Sequence, residues 1–162
     1  MNEESVESRR AKLLQRAVAL LARREHSRLE LARKLERRLD EGQDCRDIDA
    51  VLDDLQRRKL LSDERFAASV LRARSARYGE ARLARDLQVR GVPADVARDA
   101  LEAIRNSEID RARLQWARRF KALPSSIEER ARQTRFLEAR GFSSTVIRQV
   151  LRGVADTEGG AA

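Results

Sequence analysis

The residue types that carry most protein chemistry are scarce in this chain. His26 is the only histidine and Cys45 the only cysteine, so neither a zinc cluster nor a Cys–His nucleophile pair can be assembled, and no disulfide can close within the chain. No GxxxxGK[ST] loop or GxGxxG turn is present to cradle a phosphate. Carboxylates are plentiful, but the adjacent pair Asp53-Asp54 falls in a helical pattern and fits a solvated face better than a metal site. His26 precedes a helix-capping serine, the place of a linker residue rather than of a general base. The expectation is a protein that is not an enzyme, with no metal and no cofactor.

Charge, in contrast, is abundant. Lysine and arginine number 35 against 27 acidic residues, a net charge of +8. Such a chain is drawn to polyanions, meaning nucleic acid or an assembly containing it. The interleaved acids give the same side chains another use, as solvated i,i+4 pairs along helices. The longest wholly apolar run, Ala17 to Ala22, is too short to span a bilayer, and the N-terminus lacks the basic-then-apolar order of a signal peptide. A cytoplasmic protein that does not enter membranes is expected.

The elements that would position these charges are helices, because aromatics make up only 4% of the chain and no segment alternates as a strand does. Their order is set by a repeat. Residues 87–101, LQVRGVPADVARDAL, are echoed fifty residues on by LEARGFSSTVIRQVL at 137–151, and Leu31-Ala32-Arg33-Lys34-Leu35 is echoed by Leu83-Ala84-Arg85-Asp86-Leu87. Each copy divides into three amphipathic segments. In the first copy these are marked by Leu13, Leu14, Ala17, Val18 and Leu21, then Leu31, Leu35 and Leu39, then Ile48, Val51, Leu52 and Leu55. The punctuation is that of helix ends: a capping box at Ser27 to Glu30, a glycine at Gly42, a cap at Asp44, left-handed terminators at Gly91 and Gly141, Pro93 in a first turn, Pro124-Ser125-Ser126 with a capping box to Glu128 or Glu129, and a cap at Ser143.

The fold expected is therefore all-α, nine helices in three tandem three-helix repeats stacked into an elongated, curved array. The repeats span 9–61, 62–106 and 107–153, between a disordered N-terminus at 1–8 and a disordered tail at 154–162.

Sorting arginines by helix face at about 100° per residue places Arg111, Arg118 and Arg119 together with Gln115, opposite an arc of Trp116, Ala117 and Phe120, with Leu114 also assigned to the core. Arg82 and Arg85 point away from Leu83, Ala84 and Leu87, and Arg132 and Arg135 share a face of the matching helix in the third repeat. Arg85 and Arg135 are repeat equivalents. These seven arginines are the candidate partner-binding set, with ordinary solvation as the competing reading for each. Arg74 and Arg77 fall inside an apolar arc in the last turn of their helix, where the stem can cover core and the head meet the negative end of the dipole. Phe136 stands where the second repeat has Asp86, an extra apolar position that either packs on the final helix or meets a partner.

In order and spacing, Leu60-Leu61-Ser62-Asp63-Glu64-Arg65-Phe66-Ala67, Arg77-Tyr78-Gly79 with Arg82-Leu83, Arg90-Gly91-Val92, Arg135-Phe136-Leu137 and Arg140-Gly141-Phe142-Ser143 resemble the RecX family, regulators of the RecA recombinase. The resemblance covers roughly residues 13–153. Ala139 stands where a second arginine often precedes Arg-Gly-Phe, and Lys121-Ala122 replaces a glycine common after the aromatic. The resemblance implies a monomer of three three-helix repeats that binds RecA, chiefly as its filament on single-stranded DNA, and restrains filament extension, ATPase, strand exchange and coprotease activity, and so bears on DNA repair and the SOS response. It carries no catalytic residues. The reading from another class is a module that binds DNA directly and without sequence preference, motivated by the +8 charge.

Overall fold

Nine α-helices and no strand occur among the described residues, 6–39 and 44–153 of the computed structural model. They are α1 (Val6–Leu21), α2 (Arg28–Glu36), α3 (Cys45–Arg57), α4 (Asp63–Arg74), α5 (Glu80–Val89), α6 (Ala94–Arg105), α7 (Glu108–Arg119), α8 (Ile127–Glu138) and α9 (Ser144–Arg152). Val6 to Ser8, expected in a disordered N-terminus, form the first turn of α1. Gly42, Val154 and the remainder of both expected disordered ends lie outside the described residues.

The helix starts follow the sequence punctuation. Ser27 Oγ accepts from the Glu30 amide at 3.0 Å, Asp44 from Arg46 and Asp47 at 2.8 and 3.2 Å, Ser126 from Glu129 at 3.1 Å and Ser143 from Val146 at 3.3 Å, each cap contributing about 1 kcal/mol. The capping box is realised by half: the Glu30 carboxylate turns outward to Arg24 and Arg90, at 2.9 and 2.7 Å. Gly91 and Gly141 close α5 and α8 at φ 75° and 82°, the left-handed conformation a Cβ disfavours. Pro93 lies just before α6 rather than inside its first turn, and its carbonyl accepts from Ala97 at 2.9 Å.

By packing, the chain gathers into two compact units. One takes the described residues up to Ser69 together with Leu87–Ala97; the other takes Val70–Asp86 together with the described residues from Arg98. In the first unit α1, α2 and α3 pack on one another around Leu13, Ala17, Leu31, Leu35, Ile48, Val51, Leu52, Leu55 and Leu61. In the second, α7, α8 and α9 do the same around Ala112, Leu137, Phe142, Val146, Ile147, Val150 and Leu151. Burial of each large aliphatic side chain is worth roughly 1.5–3 kcal/mol. This partition runs through α4, α5 and α6, whereas the division at 61/62 and 106/107 follows helix order.

A joint of one design occurs in each unit, at the start of the repeat's second helix. In the first unit the Arg28 amide at the head of α2 donates to Asp63 Oδ1 at 2.9 Å, and Ser27 Oγ donates to the Arg90 carbonyl at 2.5 Å. In the second, the Glu80 amide at the head of α5 donates to Glu108 Oε1 at 2.9 Å, and the Gly79 amide donates to the Arg140 carbonyl at 2.9 Å. A buried acid and an Arg-Gly turn from the following repeat thus complete each helix start, the acid at the positive end of the macrodipole. Burial pushes the Asp63 carboxyl above the ordinary carboxylate range, against the opposing pull of the Arg28 amide.

His26 is sealed at the first joint, 1% exposed. Its Nδ1 lies 2.9 Å from the Arg24 carbonyl and its Nε2 2.9 Å from Lys34 Nζ. A carbonyl requires a donor and an ammonium an acceptor, so the ring is neutral and protonated on Nδ1. Burial, with the charges of Arg24 and Lys34, lowers its pKa against the Arg24 carbonyl and Glu30. A lowered imidazole pKa means that the unfolded chain binds the proton first, so this part of the stability is complete above about pH 6.5 and lost as pH falls toward the folded-state value. The thermal midpoint is expected to fall between pH 7.5 and 5, and His26→Gln to flatten that slope; an equal slope in the variant would remove His26 as its source.

Candidate interaction surfaces

Of the seven arginines singled out, six are exposed and one is not. Arg111 is 9% exposed, and its guanidinium donates inward to the carbonyls of Ser75 and Tyr78 at 2.7 and 2.8 Å, with longer bonds to Ile104 and the Ser107 hydroxyl. Gln115, on the same face, donates to the Ala76 carbonyl at 2.8 Å. Of the expected basic stripe on α7, Arg111 and Gln115 therefore point inward, together with Ala112 and Glu108, and Arg118 and Arg119 stay exposed, while Leu114 is 61% exposed and Ala117 is also outside. The physical reason is the unsatisfied carbonyls where α4 ends: they call for donors, and a guanidinium and an amide meet that need where an apolar side chain would not. Trp116 and Phe120 are half-buried, Trp116 donating to Gln133 at 2.7 Å.

Arg74 and Arg77 part company. Arg74 ends α4, half-buried and paired with Asp86 at 2.8 Å, its guanidinium 4.9 Å from the centre of the Tyr78 ring. Arg77 stands in the turn beyond the helix and is exposed. Phe136 is a packing residue: it meets Phe120 edge-on at 5.2 Å, borders the α7–α9 core and lies 3.7 Å beneath the Arg140 guanidinium.

Arg82 and Arg85 project from α5 beside a cleft of about 420 Å³ whose other polar walls are Asp86 and Glu138. Arg82 donates to the Ala139 carbonyl at 3.2 Å and covers the Tyr78 ring at 4.5 Å, so its head is fixed. Arg85 is exposed and, among the described residues, has no hydrogen-bond or ion-pair partner for its side chain; the same holds for Arg118, Arg132 and Arg135. Arg119 lies 5.8 Å from the Phe120 ring centre. Arg118, Arg119, Arg132 and Arg135 do not line the cleft. Two guanidinia beside Glu138 and the Arg74-paired Asp86 make a surface of mixed charge, which suits a protein partner better than a bare phosphate chain.

One arginine of this kind belongs to the surface held in reserve, Arg33, Lys34, Arg37 and Arg38 of the first repeat. Arg33 is exposed on α2 at the register of Arg85 on α5 and Arg135 on α8, and its side chain too has no partner among the described residues. The signal was the match of LARKL to LARDL. No group of histidine, cysteine and acidic side chains suited to a metal, and no helix long and apolar enough to cross a membrane, occurs among the described residues.

The arrangement has counterparts. The model of the RecX second three-helix domain matches residues 62–101 and that of the RecX third three-helix domain matches 106–151. The chain is 53% identical over 143 residues to the regulatory protein RecX of Leptothrix cholodnii, covering 88% of each. It is 41% identical over 138 residues to that of Ralstonia nicotianae, covering 85% of each. In fold it is similar to the crystal structure of RecX from Lactobacillus salivarius, at a TM-score of 0.77 and 20% identity over 90% of this chain and 96% of that one.

Proposed function

Because this chain belongs to the RecX family of regulatory proteins, we propose that it restrains the RecA recombinase by binding it, chiefly as a filament on single-stranded DNA, without chemistry of its own. The observation that carries the reading is the mixed-charge cleft beside Arg82 and Arg85, a surface built to meet protein. It is joined by an exposed arginine at one register of three second helices, Arg33, Arg85 and Arg135. Such rim charges steer association and fix register more than they add raw affinity. Depression of filament growth, ATPase, strand exchange and coprotease activity follows from occupancy of the filament.

Adding the protein to RecA on single-stranded DNA is expected to lower ATP hydrolysis at or below stoichiometric ratios; undiminished hydrolysis at excess would overturn the proposal. Reversing Arg85 and Arg135 to glutamate, or Arg118 and Arg119, is expected to raise the protein needed for half-inhibition about tenfold. Thermal stability should stay within about 0.5 kcal/mol, since the side chains of Arg85, Arg118 and Arg135 have no partner among the described residues and Arg119 only borders the Phe120 ring at 5.8 Å. Inhibition that survives reversal of all four would place the interface elsewhere.

A further inference from the structure

Tyr78 stands in the loop between α4 and α5, and its ring is met by two guanidinia. That of Arg74, the last residue of α4, lies 4.9 Å from the ring centre, and that of Arg82, in the first turn of α5, lies 4.5 Å from it. Both are inside the reach of a cation–π attraction, about 6 Å. Each guanidinium leads to one charged wall of the cleft beside α5: Arg82 lines it, and Arg74 holds the lining residue Asp86 at 2.8 Å.

Neither wall is well fixed without the ring. Arg82 is exposed, and its one hydrogen bond among the described residues is the 3.2 Å contact with the Ala139 carbonyl. Arg74 Nε and Asp86 Oδ2 are both buried but meet without an aligned hydrogen bond, so their pairing falls short of a charge-assisted bond. The Tyr78 hydroxyl has no hydrogen-bond partner among the described residues, which leaves the ring as the acting part of the side chain.

The first repeat shows the same dependence at the same register. His26 stands where the second repeat has Tyr78, and Lys34 where it has Asp86. There the loop ring meets the helix charge directly, His26 Nε2 accepting from Lys34 at 2.9 Å. In both repeats a ring ahead of the helix start thus fixes a charged side chain two turns into the helix, in the second by way of Arg74.

We propose that Tyr78 is the positioning residue of the mixed-charge cleft: its ring sets Arg82 and, through Arg74, Asp86 in place before a partner arrives. For its effect on inhibition this rests on the reading of the cleft as a RecA-binding surface, which it deepens. A guanidinium ordered in advance gives up less side-chain freedom on association, and walls held in one geometry present one pattern of charge.

The test has two arms. In the first, the full chain with isotopically labelled arginine is studied by NMR without RecA, the Arg82 signals being assigned by their loss in Arg82→Ala. The Arg82 Nε–H should be ordered in the parent and in Tyr78→Phe, and mobile in Tyr78→Leu. In the second, RecA ATPase on single-stranded DNA, Tyr78→Leu should raise the protein needed for half-inhibition about fivefold and Tyr78→Phe less than twofold. Within an Arg82→Ala/Asp86→Asn background, Tyr78→Leu should add less than twofold, whereas a merely structural role would keep its full effect. Pentafluorophenylalanine in place of Tyr78 keeps a ring of similar size but not a face that attracts cations; it should behave as Tyr78→Leu does, and it decides the matter if that variant does not fold. Unchanged Arg82 order in the variants that remove the attraction, or inhibition equal to the parent's once that order is lost, would overturn the inference. A parent chain that fails to inhibit RecA overturns the RecA reading instead, and the first arm still decides whether Tyr78 positions the cleft.

Discussion

Arg111→Ala is expected to lower the unfolding free energy by about 3 kcal/mol, read as a shift of the denaturant midpoint at unchanged slope. The guanidinium is 9% exposed and joins the ends of three helices: the Ser75 and Tyr78 carbonyls beyond α4, the Ile104 carbonyl of α6 and the Ser107 hydroxyl at the head of its own helix. Its removal leaves carbonyls without donors, each costing about 1–3 kcal/mol if water cannot reach it. It also leaves buried Glu108 without the positive charge that attracts it. Burial lowers the Arg111 pKa from its ordinary value while Glu108 and Glu80 raise it, and the group stays charged at any working pH. Arg118→Ala, in the last turn of the same helix, is the control and should change stability by less than about 0.5 kcal/mol. Similar losses from the two variants would contradict the account of α7 given above.

Gly79→Ala should be comparably severe, about 3 kcal/mol. A Cβ there would stand 2.5 Å from the Gly141 carbonyl carbon and against the Phe142 amide. Both are backbone and cannot rotate aside, so the Gly79 to Arg140 hydrogen bond of 2.9 Å would have to open. The equivalent residue of the first repeat, Ser27, carries a side chain because its hydroxyl itself spans the gap to the Arg90 carbonyl. The second joint is closer by the space of that hydroxyl, so Gly79→Ser is not expected to restore stability. A thermal midpoint for Gly79→Ala within 2 °C of the parent would show that the joint can widen at little cost.

What the sequence made legible was whatever depends on neighbours in the chain. Ile48, Val51, Leu52 and Leu55 were placed on the buried face of α3 by spacing, and all four are buried. The caps at Ser27, Asp44, Ser126 and Ser143 were likewise visible, because capping is settled within three residues. Arg111 was misplaced for the opposite reason. Its partners lie 33 and 36 residues upstream, so helical periodicity sees a charge and assigns it to water, whereas the fold presents carbonyls that need it. Leu114 is the reciprocal error, an apolar residue displaced outward because Arg111, Ala112 and Gln115 occupy the inner face. The exposed arginines of α5 and α8 were found by face alone. Of the cations that line a cleft beside α2, Lys34 and Arg38 were legible on the helix face held in reserve, whereas Arg16 and Arg23 reach the same cleft from another segment of the chain.

The joint at the head of α2 and α5 bears on how the molecule can be divided. A fragment ending at residue 61 would keep α1, α2 and α3 yet forfeit Asp63 and the Arg90 carbonyl that close the start of α2. One ending at 106 would do the same to α5 by omitting Glu108 and Arg140. The periodicity that reveals the repeats therefore misleads anyone choosing where to truncate: excised repeats would be incomplete modules, and a durable fragment has to carry the opening acid and the Arg-Gly turn of its successor.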